Sequence, residues 1–225
     1  MNYLASKGWI CVAINYRLSP KARFPEHLLD SKNALRWIVE HIADYGGDAD
    51  FIAATGGSAG GHLSSLLALT GNRHQQLLQP GFEQVDTSIR ACVPFYGVYD
   101  FIDRNGVRAN MDSSKFYANY IMPCPPAEDP QLWDLASPIT QVNSDAPPFM
   151  VVHGDFDSLS YVEEGRHFNE ALNNTSKNPL VYVELPGTQH AFEFMHSPRT
   201  EHAINATQQF LEIVYSDYLN QKHND

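Results

Sequence analysis

The run Gly56-Gly57-Ser58-Ala59-Gly60 carries the clearest chemical meaning in this 225-residue sequence. A G-x-S-x-G pattern suits a serine nucleophile on a sharp strand-to-helix turn. Here it directly follows the apolar run Phe51 to Thr55 and precedes the Leu-rich stretch that starts near Ala59. Such a turn strains the serine backbone and needs small neighbours, which Gly56, Gly57, Ala59 and Gly60 provide. The N–H of Ala59, at the start of a helix, is placed to meet a developing oxyanion, and Gly57 is the second oxyanion candidate on the turn. A glycine-rich turn that merely opens a helix around a phosphate is the competing reading. The sequence contains neither G-x-x-x-x-G-K-[ST] nor G-x-G-x-x-G to support it.

A serine nucleophile needs a base, and the base needs a group that orients it. Of the ten histidines, His190 lies in Pro186-Gly187-Thr188-Gln189-His190-Ala191-Phe192, just after the last strand-like run. Loops at the carboxyl ends of parallel strands are where such sheets place their sites, and the order serine, acid, histidine agrees. His153-Gly154-Asp155-Phe156-Asp157 offers two acids, Asp155 and Asp157, and residue chemistry does not separate them. The one not used is expected to serve a turn or a helix cap. His153 and His62 read as structural: the first ends a strand, and the second packs under the helix after the serine turn.

These groups need a scaffold that brings three distant loops together. Trp9 to Asn15, Phe51 to Thr55, Ala91 to Tyr96, Phe149 to His153 and Leu180 to Leu185 are short, apolar and mostly continuous, as parallel strands covered on both faces are. Between them lie helical patterns. Pro25 and Glu26 open one that Gly46-Gly47 ends, and Leu28, Leu35, Ile38 and Ile42 repeat along it. Leu63, Leu66 and Leu67 mark a second, Val162, Phe168 and Leu172 a third, and Ile204, Leu211, Val214 and Tyr218 a long C-terminal one. The alternation predicts a doubly wound, mainly parallel α/β sheet in a single domain spanning 1–225. Residues 97–148 are too long for a plain connection and are read as a cap or pocket insertion, with Tyr96, Tyr99, Phe101 and Phe116 as candidate walls of a substrate pocket.

Composition narrows the classes further. With 15 Lys and Arg against 26 Asp and Glu, the net charge of −11 argues against nucleic acid and against anionic membrane surfaces. Three cysteines without C-x-x-C spacing do not make a disulfide framework, and the N-terminus shows no signal-peptide pattern, so a cytoplasmic setting is expected. No histidine pair has H-E-x-x-H or similar spacing, so neither a metal nor a cofactor is expected.

Taken together, Asn15-Tyr16-Arg17-Leu18-Ser19-Pro20, Gly56 to Gly61 (GGSAGG), His153 to Asp157 and Gly187 to Phe192 (GTQHAF) run in a recognisable order. The chain resembles the esterase and lipase branch of the α/β-hydrolases related to hormone-sensitive lipase. That resemblance covers nearly the whole chain and implies a carboxylesterase working through Ser58, Asp157 and His190, with Asp157 as the acid. Ser160-Tyr161 stand where the family often has Val-Pro. The resemblance also implies an H-G-G-G-type oxyanion loop and a strand upstream of Tyr16, together with N-terminal cap helices. Only Met1 to Gly8 precede the first strand run, and no H-G-G occurs. The expectation is therefore a truncated α/β-hydrolase fold with one oxyanion donor unidentified, unless the natural start lies upstream of Met1. The gap would close by direct pairing of 9–15 with 51–55, or be covered by another chain; exposed strand edges make a homodimer plausible. An open site of this kind suits small, short-chain esters. A non-catalytic relative with an idle triad, and an amidase or peptidase using the same triad, are the competing classes.

Overall fold

The computed structural model describes residues 2–71, 73, 74, 77, 85–108 and 113–223. Four apolar runs become strands: Ala53–Gly57 (β1), Ala91–Phe95 (β2), Phe149–Gly154 (β3) and Leu180–Leu185 (β4). They pair in the order β1-β2-β3-β4, and every pair is parallel. Parallel neighbours need long crossovers, which helices provide. The α-helices Asn2–Ser6 (α1) and Glu26–His41 (α2) precede the sheet, and Ala59–Thr70 (α3) joins β1 to β2. Ser113–Tyr120 (α4), Pro130–Ala136 (α5) and Pro138–Gln141 (α6) lie between β2 and β3. Val162–Thr175 (α7) joins β3 to β4, and Pro198–Lys222 (α8) closes the chain.

The continuous apolar character of β2 and β3 is explained by burial on both faces. Ala91, Val93 and Phe95, with Met150 and Val152, pack on Ala203, Phe210, Leu211 and Val214 of α8. Cys92, Phe149 and Val151 point the other way, against Leu69 of α3 and Phe168 and Leu172 of α7. Successive side chains of a strand alternate faces, so a strand with helices on both sides has no polar face to show. The result is the doubly wound, parallel α/β sheet expected from the sequence.

Two expectations are corrected here. The run 9–15 joins no ladder among the described residues; β1 pairs only with β2, and no direct pairing links 9–15 to 51–55. The run is anchored instead by Trp9, whose ring lies 6.1 Å from that of Phe51 and 6.0 Å from that of Tyr215. Side-chain packing at one end holds it, while Ile10 and Val12 are exposed. β1 itself begins two residues later than the apolar run and extends through Gly57, because its register with β2 continues to Gly57–Phe95.

The second correction concerns the pocket walls. Phe101, Tyr117, Met122, Trp133 and Leu135 join Leu28 and Leu35 of α2 and Leu63, Leu66 and Leu67 of α3 in one buried cluster. Phe101 stacks on Tyr117 at 4.4 Å, and Tyr99 stacks on Phe168 at 4.2 Å. Tyr99 and Phe101 are therefore core residues whose ring faces are already covered, not walls of an open pocket. Phe116, on α4, is largely exposed. Among the described residues, no helix is long and apolar enough to cross a membrane.

His62 sits inside this core, as its position under the serine turn suggested. Its Nε2–H donates to the Ala136 carbonyl at 2.7 Å, and its ring stacks on Phe101 at 4.6 Å. Burial pushes its pKa down to about 4, so the folded protein holds the ring neutral. The folded value lies below the unfolded one, so the stability this residue contributes is present above about pH 6.5 and lost as the pH falls toward 4, on the order of 3 kcal/mol. Urea unfolding between pH 7 and 4 is expected to show that decline. The His62→Gln chain is expected to show a shallower one.

Candidate active site

β1 ends at Gly57, and the chain then turns through Ser58 at φ 57° and ψ −119° into α3. Non-glycine residues seldom take this conformation, and it survives only where the surroundings enforce it. The Ser58 N–H donates to the Phe95 carbonyl at 3.0 Å, and the Ser58 carbonyl accepts the His62 N–H at 3.0 Å. The turn is also tight: a Cβ on Gly56 would lie 2.6 Å from the carbonyl carbon and oxygen of Gly60. Ala59 is the first residue of α3, so its N–H is among those with no acceptor inside the helix. Gly57 is the last residue of β1, registered against Phe95, with its Cα facing the Tyr96 hydroxyl.

The loops after β3 and β4 bring the other two groups to this turn. His190 Nε2 lies 2.9 Å from Ser58 Oγ, and His190 Nδ1 lies 2.7 Å from Asp157 Oδ2. A neutral ring with its proton on Nδ1 satisfies both contacts, donating to the carboxylate and accepting from the serine. Asp157 is buried, and its Oδ1 accepts the N–H groups of Leu159 and Ser160, both at 2.9 Å. Those bonds fix the carboxylate from behind and leave Oδ2 to His190. Asp155 is occupied elsewhere, with its Oδ1 accepting the Gly187 N–H at 2.6 Å. The geometry thus separates two acids that residue chemistry left equivalent.

His153, at the end of β3, stands behind Asp157. Its Nε2–H donates to the Ser160 carbonyl at 2.7 Å, and its pKa is pushed down, chiefly by burial. A neutral His153 holds the backbone that in turn holds Asp157. Of the four aromatic pocket candidates, Tyr96 is the one that packs against His190: it is buried, and its ring centroid is 4.5 Å from that of His190. Side chains that the sequence did not single out lie on the same loops. Phe156 and Leu159 flank Asp157, Phe194 and Met195 follow His190, and all four are mostly exposed. Their neighbourhood to the two motifs is the only signal that could have drawn attention to them. Among the described residues no group of three or more His, Cys, Asp or Glu could hold a metal ion.

The sequence pattern of the BD-FAE family matches residues 1–172. The chain belongs to the BD-FAE family. Ser58 and Asp157 of this BD-FAE chain fall inside the matched segment, and His190 falls beyond it. The chain is 50% identical over 216 residues to a Mycobacterium tuberculosis protein named "Probable carboxylic ester hydrolase LipM", covering 96% of this chain and 49% of that protein. It is 42% identical over 215 residues to "Esterase LipQ" of the same organism, covering 96% of this chain and 50% of that one. The BD-FAE chain thus spans about half the length of these curated relatives. Among solved structures it resembles a thermophilic esterase from Thermogutta terrifontis, with a TM-score of 0.69 and 25% identity, covering 85% of this chain and 65% of that one.

The approach of Gly56 to Gly60 leaves no room for a methyl group against backbone. Gly56→Ala is therefore expected to displace the turn and destabilise the fold by about 1–3 kcal/mol. A comparable substitution at Gly60, whose added Cβ would meet nothing within 4 Å, is expected to cost less. Chemical unfolding of the two variants side by side checks both.

Proposed function

We propose that this chain is a serine carboxylesterase acting on small esters with short acyl chains. The observation that carries the reading is the unbroken hydrogen-bonded series Ser58 Oγ, His190, Asp157 on a strained strand-to-helix turn. In this reading His190 Nε2 takes the Ser58 proton as Oγ attacks the ester carbonyl. Asp157 keeps the ring in the tautomer that can accept that proton, and stabilises the imidazolium that forms. The negative charge on the tetrahedral oxygen falls against the N–H of Ala59 at the positive end of α3. His190 returns the proton to the departing alcohol, leaving an acyl group on Ser58. Water, deprotonated by the same nitrogen, then releases the acid.

The names carried by LipM and LipQ, and by the Thermogutta esterase, support ester hydrolysis as the reaction class. Support for short acyl chains comes from the packing: Tyr99 and Phe101 are committed to the core, so they offer no long apolar channel for an extended acyl chain. The expected result is turnover of p-nitrophenyl acetate and butyrate, falling sharply by the decanoate. Ser58→Ala is expected to lower turnover on the order of 10⁴-fold or more. A fluorophosphonate probe is expected to label Ser58 in the unsubstituted chain. Absence of both turnover and labelling would overturn the proposal. Equal turnover of acetate and decanoate would overturn its short-chain part alone.

A further inference from the structure

Beside the three residues of the proposed reaction lies a second polar contact that the reaction does not use. Tyr96 follows β2 and departs from strand geometry at φ 36°, a region that bulky residues avoid. That departure turns its ring toward His190, 4.5 Å away between centroids. Its backbone N–H is held by the Val152 carbonyl at 2.7 Å, and its ring meets Phe192 edge-on at 5.7 Å. The Tyr96 hydroxyl donates to Glu193 Oε1, in the short turn Phe192–Phe194 that follows the His190 loop. Burial, reinforced by this carboxylate, pushes the Tyr96 pKa well up, so the hydroxyl keeps its proton and remains a donor.

Two features argue that this contact is more than core packing. The other carboxylate oxygen, Glu193 Oε2, is buried and finds no hydrogen-bond partner among the described residues. A half-satisfied buried carboxylate is costly, and a plain apolar side chain would fill the space without that cost. The pair also presses on the nucleophile turn itself. A Cβ on Gly57 would lie 2.6 Å from the Tyr96 hydroxyl oxygen and 3.0 Å from Glu193 Oε1. The residue before Ser58 thus has no room for a side chain because the pair occupies it.

These contacts close a ring. Ser58 is bonded through its N–H to Phe95; Tyr96 is the next residue; Tyr96 is bonded to Glu193; Glu193 lies three residues after His190; and His190 returns to Ser58 Oγ at 2.9 Å. The separation of base and nucleophile is therefore set on two sides, by Asp157 behind the ring and by Tyr96–Glu193 beside it.

We propose that Tyr96 and Glu193 are a positioning pair that holds the His190 loop and imidazole in register with Ser58. This proposal rests on the serine-esterase reading above for its kinetic consequence. A misplacement of about 1 Å at a reacting centre costs up to about 100-fold in rate. Tyr96→Phe keeps the ring and removes only the donor. Glu193→Ala removes the acceptor, and Glu193→Gln keeps an acceptor oxygen in nearly the same place.

The experiment compares these variants with the unsubstituted chain on p-nitrophenyl butyrate. It also records the low-field proton signal of the His190 Nδ1–H, assigned by its loss in Asp157→Asn. Tyr96→Phe and Glu193→Ala are expected to lower kcat by about 10- to 100-fold with KM nearly unchanged. Glu193→Gln is expected to recover most of that loss. The double variant is expected to lose no more than either single one, since both break the same bond. The proton signal is expected to broaden or shift in Tyr96→Phe and Glu193→Ala and to persist in Glu193→Gln. An unchanged kcat and an unchanged signal in Tyr96→Phe overturn the pair, as does a loss that Glu193→Gln fails to recover. If the unsubstituted chain hydrolyses no ester, the esterase reading fails and the proton signal alone decides the pair. Should Glu193→Ala not fold, Tyr96→Phe and Glu193→Gln carry the same comparison.

Discussion

The hydrogen bond from the Ser58 N–H to the Phe95 carbonyl is the contact on which the rest of the site depends. It continues the β1–β2 ladder one step past the last paired residues, Gly57 and Phe95, and so fixes where the strand stops and the turn begins. A serine at φ 57° costs about 1–3 kcal/mol of backbone strain. Two backbone hydrogen bonds, each worth about 1 kcal/mol net, hold Ser58 from either side, and the close seat of Gly56 against Gly60 leaves few other paths for the chain. The strain is therefore over-determined by its surroundings, which is the condition under which such a backbone conformation persists.

The loops after β3 and β4 behave as one unit around that turn. Apart from the His190–Asp157 contact, the Phe156 N–H donates to the Thr188 carbonyl at 3.1 Å, and the Gly187 N–H donates to Asp155 at 2.6 Å. Asp157 is secured through Ser160, whose hydroxyl donates to the Gly97 carbonyl at 2.8 Å and whose carbonyl accepts from His153. Asp157, the His190 loop and the start of the long connection after β2 are thus bound into a single frame. A rigid frame of this kind is what proximity and orientation would require of Ser58 and His190, which stand 132 residues apart in the chain.

The connection between β2 and β3 shows how a segment rich in aromatics can serve the core. Its rings meet α2 and α3 from outside the sheet, and Trp133 donates through its indole N–H to the Cys124 carbonyl at 3.0 Å. The segment also carries charge into the interior. Arg108 and Glu164 of α7 are both buried with 3.3 Å between them, and burial raises the Glu164 pKa to about 7 even beside the guanidinium. A buried pair of this kind ties the connection to α7 more through the cost of separating it than through net stability.

The positions of β1 to β4 and of the helices α2, α3, α7 and α8 between and around them, and the identities of Ser58 and His190 as candidates, were already legible in the sequence. Those features are local. A G-x-S-x-G turn needs small residues at fixed offsets, and strands buried on both faces need unbroken apolar runs, so each leaves a mark within a few residues. Asp157 could be told from Asp155 by family resemblance, but the residues themselves did not distinguish them. Only the tertiary structure shows one carboxylate turned to His190 and the other to Gly187. The run 9–15 has the composition of a strand, yet a ladder needs a partner edge, and composition does not report whether one is present. Tyr99 and Phe101 look like pocket aromatics because a ring suits a pocket and a core equally. Which it lines depends on whether Phe168, His62 and Tyr117 arrive to cover its faces. Glu193 reads as an ordinary surface acid three residues after a histidine. Its contact with Tyr96 spans 97 residues and arises only because the parallel sheet sets the ends of β2 and β4 within reach of the same turn.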